Sequence, residues 1–490
     1  MDFPYLSKWK GSVLDFDFLL SSRRIDPKQI YNRMSDAQFD AKRAFFDLGA
    51  TLDFSFRARQ LKRLEAAIKR NEKAILAALH SDLRKSEMEA YMTEVSIVLD
   101  EISYLRKNLK EWMRPIKRHT PLAMQPSKTT MRYEPKGVVL IIAPWNYPFQ
   151  LVMDPLAGAI AAGCCAVVKP SEDAPATANI VEDIISEIFE TSFISVVQGL
   201  GHEVVPELMD SFQFNHIFFT GSPQVGSIIA KSAAEKLTST TLELGGKSPA
   251  IIDGTGELKT TVKRLLWGKF MNAGQTCVSP DYVLIKEGFQ DRFLAEAKKV
   301  IEDYFGADPK TSQSYPRIIN LKRFEAIKKL MASGDVVIGG QTDRDELYIA
   351  PTLLTNVTLD DDVMKEEIFG PVLPIIPWET EREILDIVRQ NRYPLACYYF
   401  GKDKALKNFI LSRIEFGGGS INNTLVQFGN PDLPVGGLQQ SGSGHYHGFY
   451  SFECFSNAKT IVDSATWIDP SIKYPPYTKT KLNWIRRLLG

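Results

Sequence analysis

The sequence predicts an α/β protein organised around a doubly wound parallel sheet. Three observations carry that expectation. Gly137–Pro144, GVVLIIAP, is a short apolar run closed by proline, as a parallel strand covered on both faces reads. From there to residue 220 such runs recur with helix-patterned stretches between them, the alternation of βαβ units. The chain has 490 residues, too many for one hydrophobic core, so two or more domains are expected.

Taken in order, residues 1–34 match no recognised pattern and read as an N-terminal extension with its own packing role. Asp15 and Asp17 interrupt their apolar run and no small-residue cleavage site follows, which argues against a signal peptide. From about Ser35 to Trp112 the pattern is helical: Leu61, Leu64, Ile68, Ile75, Leu76 and Leu79 recur at three-to-four spacing with charges between them. Pro115–Pro135 is proline-punctuated and semi-extended, suited to an excursion from the main body. After the strand at Gly137–Pro144, LVMDPLAGAIAAG reads as a helix, CCAVVKP as a strand and APATANIVEDIISEIF as a helix. FISVVQG and FNHIFFTGS follow as two further strands. TTLELGGKSPAIID opens a second α/β region. Beyond Asp463 the tail looks extended, except that Leu482, Ile485, Leu488 and Leu489 fall at helical spacing beside Trp484, with Lys479, Lys481, Arg486 and Arg487 around them. That segment suits a short helix docked on the body or on a partner subunit, or a weak helix at a membrane surface.

Lysine plus arginine and aspartate plus glutamate both number 59, so net charge gives no reason to expect nucleic acid or an anionic membrane as principal partner. Five cysteines without a CxxC pair argue against a disulfide framework or a zinc site and for a reducing, cytoplasmic setting. The six histidines show no HExxH spacing, no metal site is expected, and no apolar run approaches the ~20 residues of a membrane span.

Four segments carry chemistry. Gly221-Ser222-Pro223-Gln224-Val225-Gly226 lies between a strand and a helix, where backbone N–H groups meet a pyrophosphate; it suits a tight strand–helix turn equally well. Cys277 stands in GQTCVSP, small and polar, whereas Cys164, Cys165 and Cys397 stand in apolar runs; that favours a reactive thiol if a partner is near. Glu243, between Leu242 and Leu244, is either a salt-bridged strand residue or a desolvated carboxylate with a raised pKa fit for a general base. Asn146 in PWNYP follows the first buried strand, where it is a turn residue or an amide donor to a developing oxyanion.

Together PWNYP, KPSE (169–172), FTGSPQVG (219–226), LELGGKSP (242–249), GQTCVSPDY (274–282) and EEIFGPV (366–372) resemble the aldehyde dehydrogenase superfamily in order and approximate spacing, from about Phe45 to Val462. SDLRKSEMEAYMTEV, PDYV, GHYHGFYSFECFS and the KYPPY tail are similar to its class 3, fatty and aromatic aldehyde, branch. The resemblance implies an aldehyde dehydrogenase-like fold. A Rossmann-like NAD(P)-binding domain would span 35–114 and 137–242, and an α/β catalytic domain 243–420. A small β oligomerisation or bridging element would take in 115–136 and 421–462, with a tail at 463–490. It implies Cys277 as nucleophile, Glu243 as base and Asn146, with the Cys277 N–H, as oxyanion donor. Lys169 and Glu172 would hold the adenosine ribose, and Gly221, Ser222 and Gly226 the pyrophosphate. Glu367 and Phe369 would fix the nicotinamide ribose and ring, Trp145 would be a further cofactor contact, and Tyr91 and Tyr147 would lie at the substrate. NAD is the implied cofactor, with NADP possible; an aldehyde is the substrate and a homodimer the assembly. Two positions depart from class 3 relatives: Pro434-Val435-Gly436-Gly437-Leu438-Gln439, where P-F-G-G-V-G is frequent, and Asn457, where a histidine is.

Rival readings are weaker. A thiol hydrolase or acyltransferase has no use for Lys169, Glu172 and Glu367, and a non-catalytic descendant would be expected to lose one of Cys277, Glu243 and Asn146. A CoA-acylating relative would lack the deacylating glutamate.

Overall fold

The computed structural model describes residues 34–489, so the expected extension lies almost wholly outside the described residues. The described residues open in helices. Asp53 caps Phe54–Leu83, whose Leu61, Leu64, Ile68, Ile75 and Leu79 are fully buried, and Arg84 ends it in the left-handed region at φ 58°. Burying each of those side chains contributes about 1.5–3 kcal/mol. After the short helix Glu87–Ala90 comes a π-turn, Tyr91–Val95, and then the helix Ser96–Trp112.

The first sheet has six strands in the order Gly442–Ser443, Ser239–Glu243, His216–Thr220, Val138–Ile142, Cys165–Lys169 and Ile194–Val196. All pair in parallel except the Gly442–Ser443 edge. The second sheet has seven, in the order Asp335–Ile338, Thr352–Thr355, Val372–Trp378, Tyr282–Lys286, Pro249–Ile252, Ala396–Phe400 and Gly418–Ile421, parallel but for the first. Each sheet anchors its own apolar core.

Three features differ from the sequence expectation. A helix, Gly201–Ser211, stands between the strands Ile194–Val196 and His216–Thr220, where none was expected. Gly201 and Pro206 lower its helix propensity, and burial of Val204, Val205, Leu208 and Met209 outweighs that. Within residues 115–136, Ile116–Arg118 pairs with Ser127–Pro135, which pairs in turn with Ser456–Ser464, in a separate three-stranded sheet. The residues between 421 and 455, assigned by sequence to that element, do not join it; Gly442–Ser443 returns to the first sheet beside Glu243. The tail is helical over Lys479–Leu489, and it packs on the 3-10 turn Ser471–Lys473. Leu482 and Trp484 remain exposed, so they do not dock on this chain's own body.

Candidate active site

Parallel register places the candidate residues before any side chain is considered. Ile142 lies opposite Phe219 and Lys169, and Thr220 lies opposite Glu243. The PWNYP loop, Lys169, the glycine loop and Glu243 therefore emerge together at the carboxyl edge of the first sheet, where open α/β sheets bind ligands. The second sheet presents its opposite edge. Cys277 precedes the strand Tyr282–Lys286, and Glu367 and Phe369 precede Val372–Trp378. Residues from both edges line one cavity of about 680 Å³: Trp145, Asn146, Gly221, Ser222, Glu243, Cys277, Glu367 and Phe369 among them.

Cys277 is partly exposed. Burial, followed by the negative charges of Glu367 and Glu243, pushes its thiol up to about 12. Its loop is wound tightly: Asn272, Ala273 and Gly274 have φ of 52°, 50° and 74°. A Cβ at Gly274 would lie 2.2 Å from the Gly370 carbonyl oxygen, so only glycine fits. Gln275, fully buried, ties the turn down: its Nε2 donates to the carbonyls of Asn272 and Arg317, and its Oε1 accepts from Ile319 N–H.

Glu243 ends its strand 4% exposed, and burial alone raises its carboxyl well above the ordinary range. Its Oε1 has no hydrogen-bond partner among the described residues. Asn146 is buried with its Nδ2 donating to the Gln275 carbonyl at 3.1 Å, which fixes the carboxamide beside the cysteine loop. A carboxamide has a second N–H to offer the cavity.

Glu367 is held against Gly245, where a Cβ would meet its carboxylate at 2.1 Å. Burial first, and then Asp281, push it up to about 8 against the pull of the Gly246 N–H, Lys247 and Arg323. Phe369, at φ 51°, meets Trp145 edge-on at 5.3 Å. Ser222 caps the helix Pro223–Glu235, and Gly226 in its first turn packs on Leu244, which a Cβ would approach to 2.7 Å.

Lys169, Glu172 and Gly226 do not line the cavity. Lys169 pairs with Glu172, whose other oxygen accepts from Gly201 N–H at 2.6 Å. Burial would raise Glu172, but Lys169 and that N–H outweigh it and hold the carboxylate low. Tyr147 is buried, with its hydroxyl 2.7 Å from Thr276 Oγ1, and Tyr91 is 41% exposed; neither is among the lining residues.

Sequence reasoning passed over Lys247, Gln275 and Arg323. Lys247 binds Asp281 at 2.5 Å and the carbonyls of Val363 and Glu366, fastening the Glu367 segment to the strand edge. Arg323 donates to Ile368 O and lies over the Phe369 ring. Lys247 and Gln275 sit inside motifs that were noticed; Arg323 has no local signal.

The family model described as the aldehyde dehydrogenase family matches residues 27–461. Aldehyde dehydrogenase family 3 member A2 of Rattus norvegicus is 40% identical over 458 residues, covering 93% of this chain and 94% of its own length. The solved structure of the substrate-bound state of Staphylococcus aureus AldH superposes with a TM-score of 0.91 at 43% identity, over 93% of this chain and 100% of that one. Betaine aldehyde dehydrogenase from Staphylococcus aureus in complex with NAD+ superposes with a TM-score of 0.79 at 26% identity, over 89% and 88% of the two chains.

Proposed function

This chain belongs to the aldehyde dehydrogenase family, and from that premise we propose the residues and substrate class through which it works. It is an NAD(P)-dependent oxidoreductase that converts aldehydes to carboxylic acids. Medium- or long-chain aliphatic and aromatic aldehydes are the proposed substrates, following the resemblance of SDLRKSEMEAYMTEV, PDYV and GHYHGFYSFECFS to the class 3 branch. A homodimer in the cytoplasm is the proposed state.

The observation that carries the mechanism is the convergence of Cys277, Glu243 and Asn146 on one cavity. The residues in and beside the cavity suit a dinucleotide. The glycine loop at a capped helix N-terminus would hold the pyrophosphate, Lys169 and Glu172, outside the cavity at the end of a neighbouring strand, would hold a ribose, and Glu367 and Phe369 would close the other side. When bound, the nicotinamide supplies the acceptor for the hydride leaving the substrate carbon.

The chain's own residues do the rest. Cys277 Sγ bonds to the aldehyde carbon as the thiol gives its proton to solvent in the cavity and the carbonyl π pair moves onto oxygen. The Asn146 carboxamide and the Cys277 N–H stabilise the resulting oxyanion. The acyl group left on sulfur after oxidation is a thioester. Glu243, desolvated and with an unoccupied acceptor oxygen, takes a proton from the water that hydrolyses it. Glu172 accepts from ribose hydroxyls and repels a 2′-phosphate, which favours NAD over NADP.

The test is a panel of aliphatic and aromatic aldehydes with each nicotinamide, read as absorbance of the reduced cofactor. Greatest kcat/KM for long or aromatic aldehydes with NAD is expected. Preference for short polar aldehydes sinks the substrate class.

A further inference from the structure

Three charged residues of the segment SDLRKSEMEAYMTEV lie behind the site with no part in the chemistry above. Lys85 and Glu94 are both fully buried and pair at 2.5 Å. Lys85 follows Arg84, whose left-handed backbone stops the long helix. Glu94 lies in the π-turn Tyr91–Val95, whose wider winding accompanies burial of Thr93, Glu94 and Val95. Taking two charges out of water is costly, and removing one partner leaves the other uncompensated. A pair kept in such a place needs a reason beyond packing.

The reason is in what else the two residues hold. Lys85 Nζ donates to the Asn146 carbonyl at 3.0 Å and lies 4.1 Å from the centre of the Tyr147 ring. Glu94 Oε2 accepts from the N–H groups of Phe149 and Gln150 at 2.9 and 3.3 Å, the start of the helix Gln150–Ala162. One ion pair thus grips the PWNYP loop at its middle residue and just past its end. Glu89, one turn earlier, accepts from the Asn272 N–H at 2.8 Å and so grips the cysteine loop. Asn272 completes the circuit, donating from Nδ2 to the same Asn146 carbonyl at 2.8 Å and to the Gln275 carbonyl at 3.1 Å. The Gln275 carbonyl is also the one that receives the Asn146 carboxamide.

We propose that Lys85, Glu94 and Glu89 are positioning residues that fix the oxyanion-binding carboxamide of Asn146 relative to Cys277 by clamping the two loops that carry them. The inference rests on the reading of Asn146 and Cys277 given above. None of the three reaches the substrate; they act through the Asn146 carbonyl, the two N–H groups after Pro148 and the Asn272 N–H. The peptide carbonyl and the carboxamide of Asn146 are thereby both held, so the donor needs no reorganisation when negative charge forms on the substrate oxygen.

The test is a cycle between K85M/E94Q and N146A in the full-length protein. It is read as the single-turnover burst of reduced cofactor, the KM for NAD, the rate of Cys277 alkylation by iodoacetamide, and the melting curve. The replacements remove the buried charges together, so neither is left unpaired. The expected result is a folded protein with an unchanged KM for NAD, near-normal alkylation and a burst slowed about 10²-fold, the scale of losing one oxyanion donor. In the N146A background the same pair of changes should cost little more, because both act through one donor. A folded K85M/E94Q protein with a normal burst, or with a loss that multiplies fully with that of N146A, overturns the proposal. If N146A alone leaves the burst intact, the reading of Asn146 is at fault, and that result is separate from the other two. Should K85M/E94Q fail to melt cooperatively, K85R, which keeps a positive charge against Glu94 but alters the donor to the Asn146 carbonyl, carries the same cycle alone.

Discussion

Cys277, Glu243 and Glu172 illustrate how environment assigns roles to common side chains. Burial, followed by Glu367 and Glu243, pushes the Cys277 thiol up, yet it opens onto the cavity. C277A should reduce aldehyde oxidation to background and abolish its sensitivity to iodoacetamide, since Cys164, Cys165 and Cys397 are buried and Cys454 lies behind the sheet against Thr241. Near-normal turnover by C277A would contradict this. Glu243 must be ionised to take a proton from water, and its carboxyl is raised by burial. The deacylation rate should therefore climb with pH through a value well above the ordinary carboxylate range. E243Q should keep the burst and lose about 10²–10⁴-fold in steady-state rate together with that pH limb. Loss of the burst would mean that Glu243 also activates the thiol. Glu172 is held anionic by Lys169 and the Gly201 N–H. E172Q should narrow the preference for NAD over NADP, measured as the ratio of kcat/KM; a wild-type preference for NADP would refute this placement.

At the scale of elements, the terminal helix Lys479–Leu489 shows a local pattern waiting for a surface. Its Leu482 and Trp484 are exposed, and Lys481 folds back to the Tyr474 carbonyl. Such a helix suits either a partner subunit or the interface of an anionic membrane, where each basic residue contributes about 1 kcal/mol. Co-sedimentation with anionic vesicles at low salt, with and without residues 479–490, separates the two. Binding that needs the helix and fades with salt favours the membrane; full-length protein left in the supernatant favours the subunit. The helix Gly201–Ser211 teaches the reverse lesson. Its glycine and proline concealed it in the sequence, and its four buried apolar residues make it helical.

For the molecule as a whole, buried carboxylates make stability pH-dependent in an identifiable way. Glu367 is raised to about 8 by burial and by Asp281. The unfolded chain releases that proton near the ordinary glutamate value of about 4.3, so between there and 8 the folded state binds more protons. Stability from this group is full below the lower value and is lost as pH rises through the upper one. E367Q removes the dependence without changing side-chain size. Its melting temperature should therefore gain on the wild type steadily from pH 5 to pH 8. A difference that stays flat or shrinks over that range would show that Glu367 is already ionised in the fold.

Much of this was legible in the chain itself. The buried strands, the long amphipathic helices, the excursion at 115–136 and the motifs around Asn146, Glu243 and Cys277 are local patterns. Backbone pairing and side-chain periodicity write such patterns into neighbouring residues. Only the tertiary structure decided which motifs share a cavity. Glu243 ends a strand of the first sheet and Cys277 lies in the loop before a strand of the second, the two edges meet, and no spacing in the sequence states that. It also decided that Lys85, Glu89 and Glu94 look inward at two loops rather than outward to water. In the sequence they are charges in a polar helical stretch. Their burial depends on a π-turn and on partners at Asn146, Phe149 and Asn272, more than 50 positions away. Sequence records propensities over a few residues, whereas desolvation and pKa depend on everything within a few ångströms, and that neighbourhood exists only once the chain has folded.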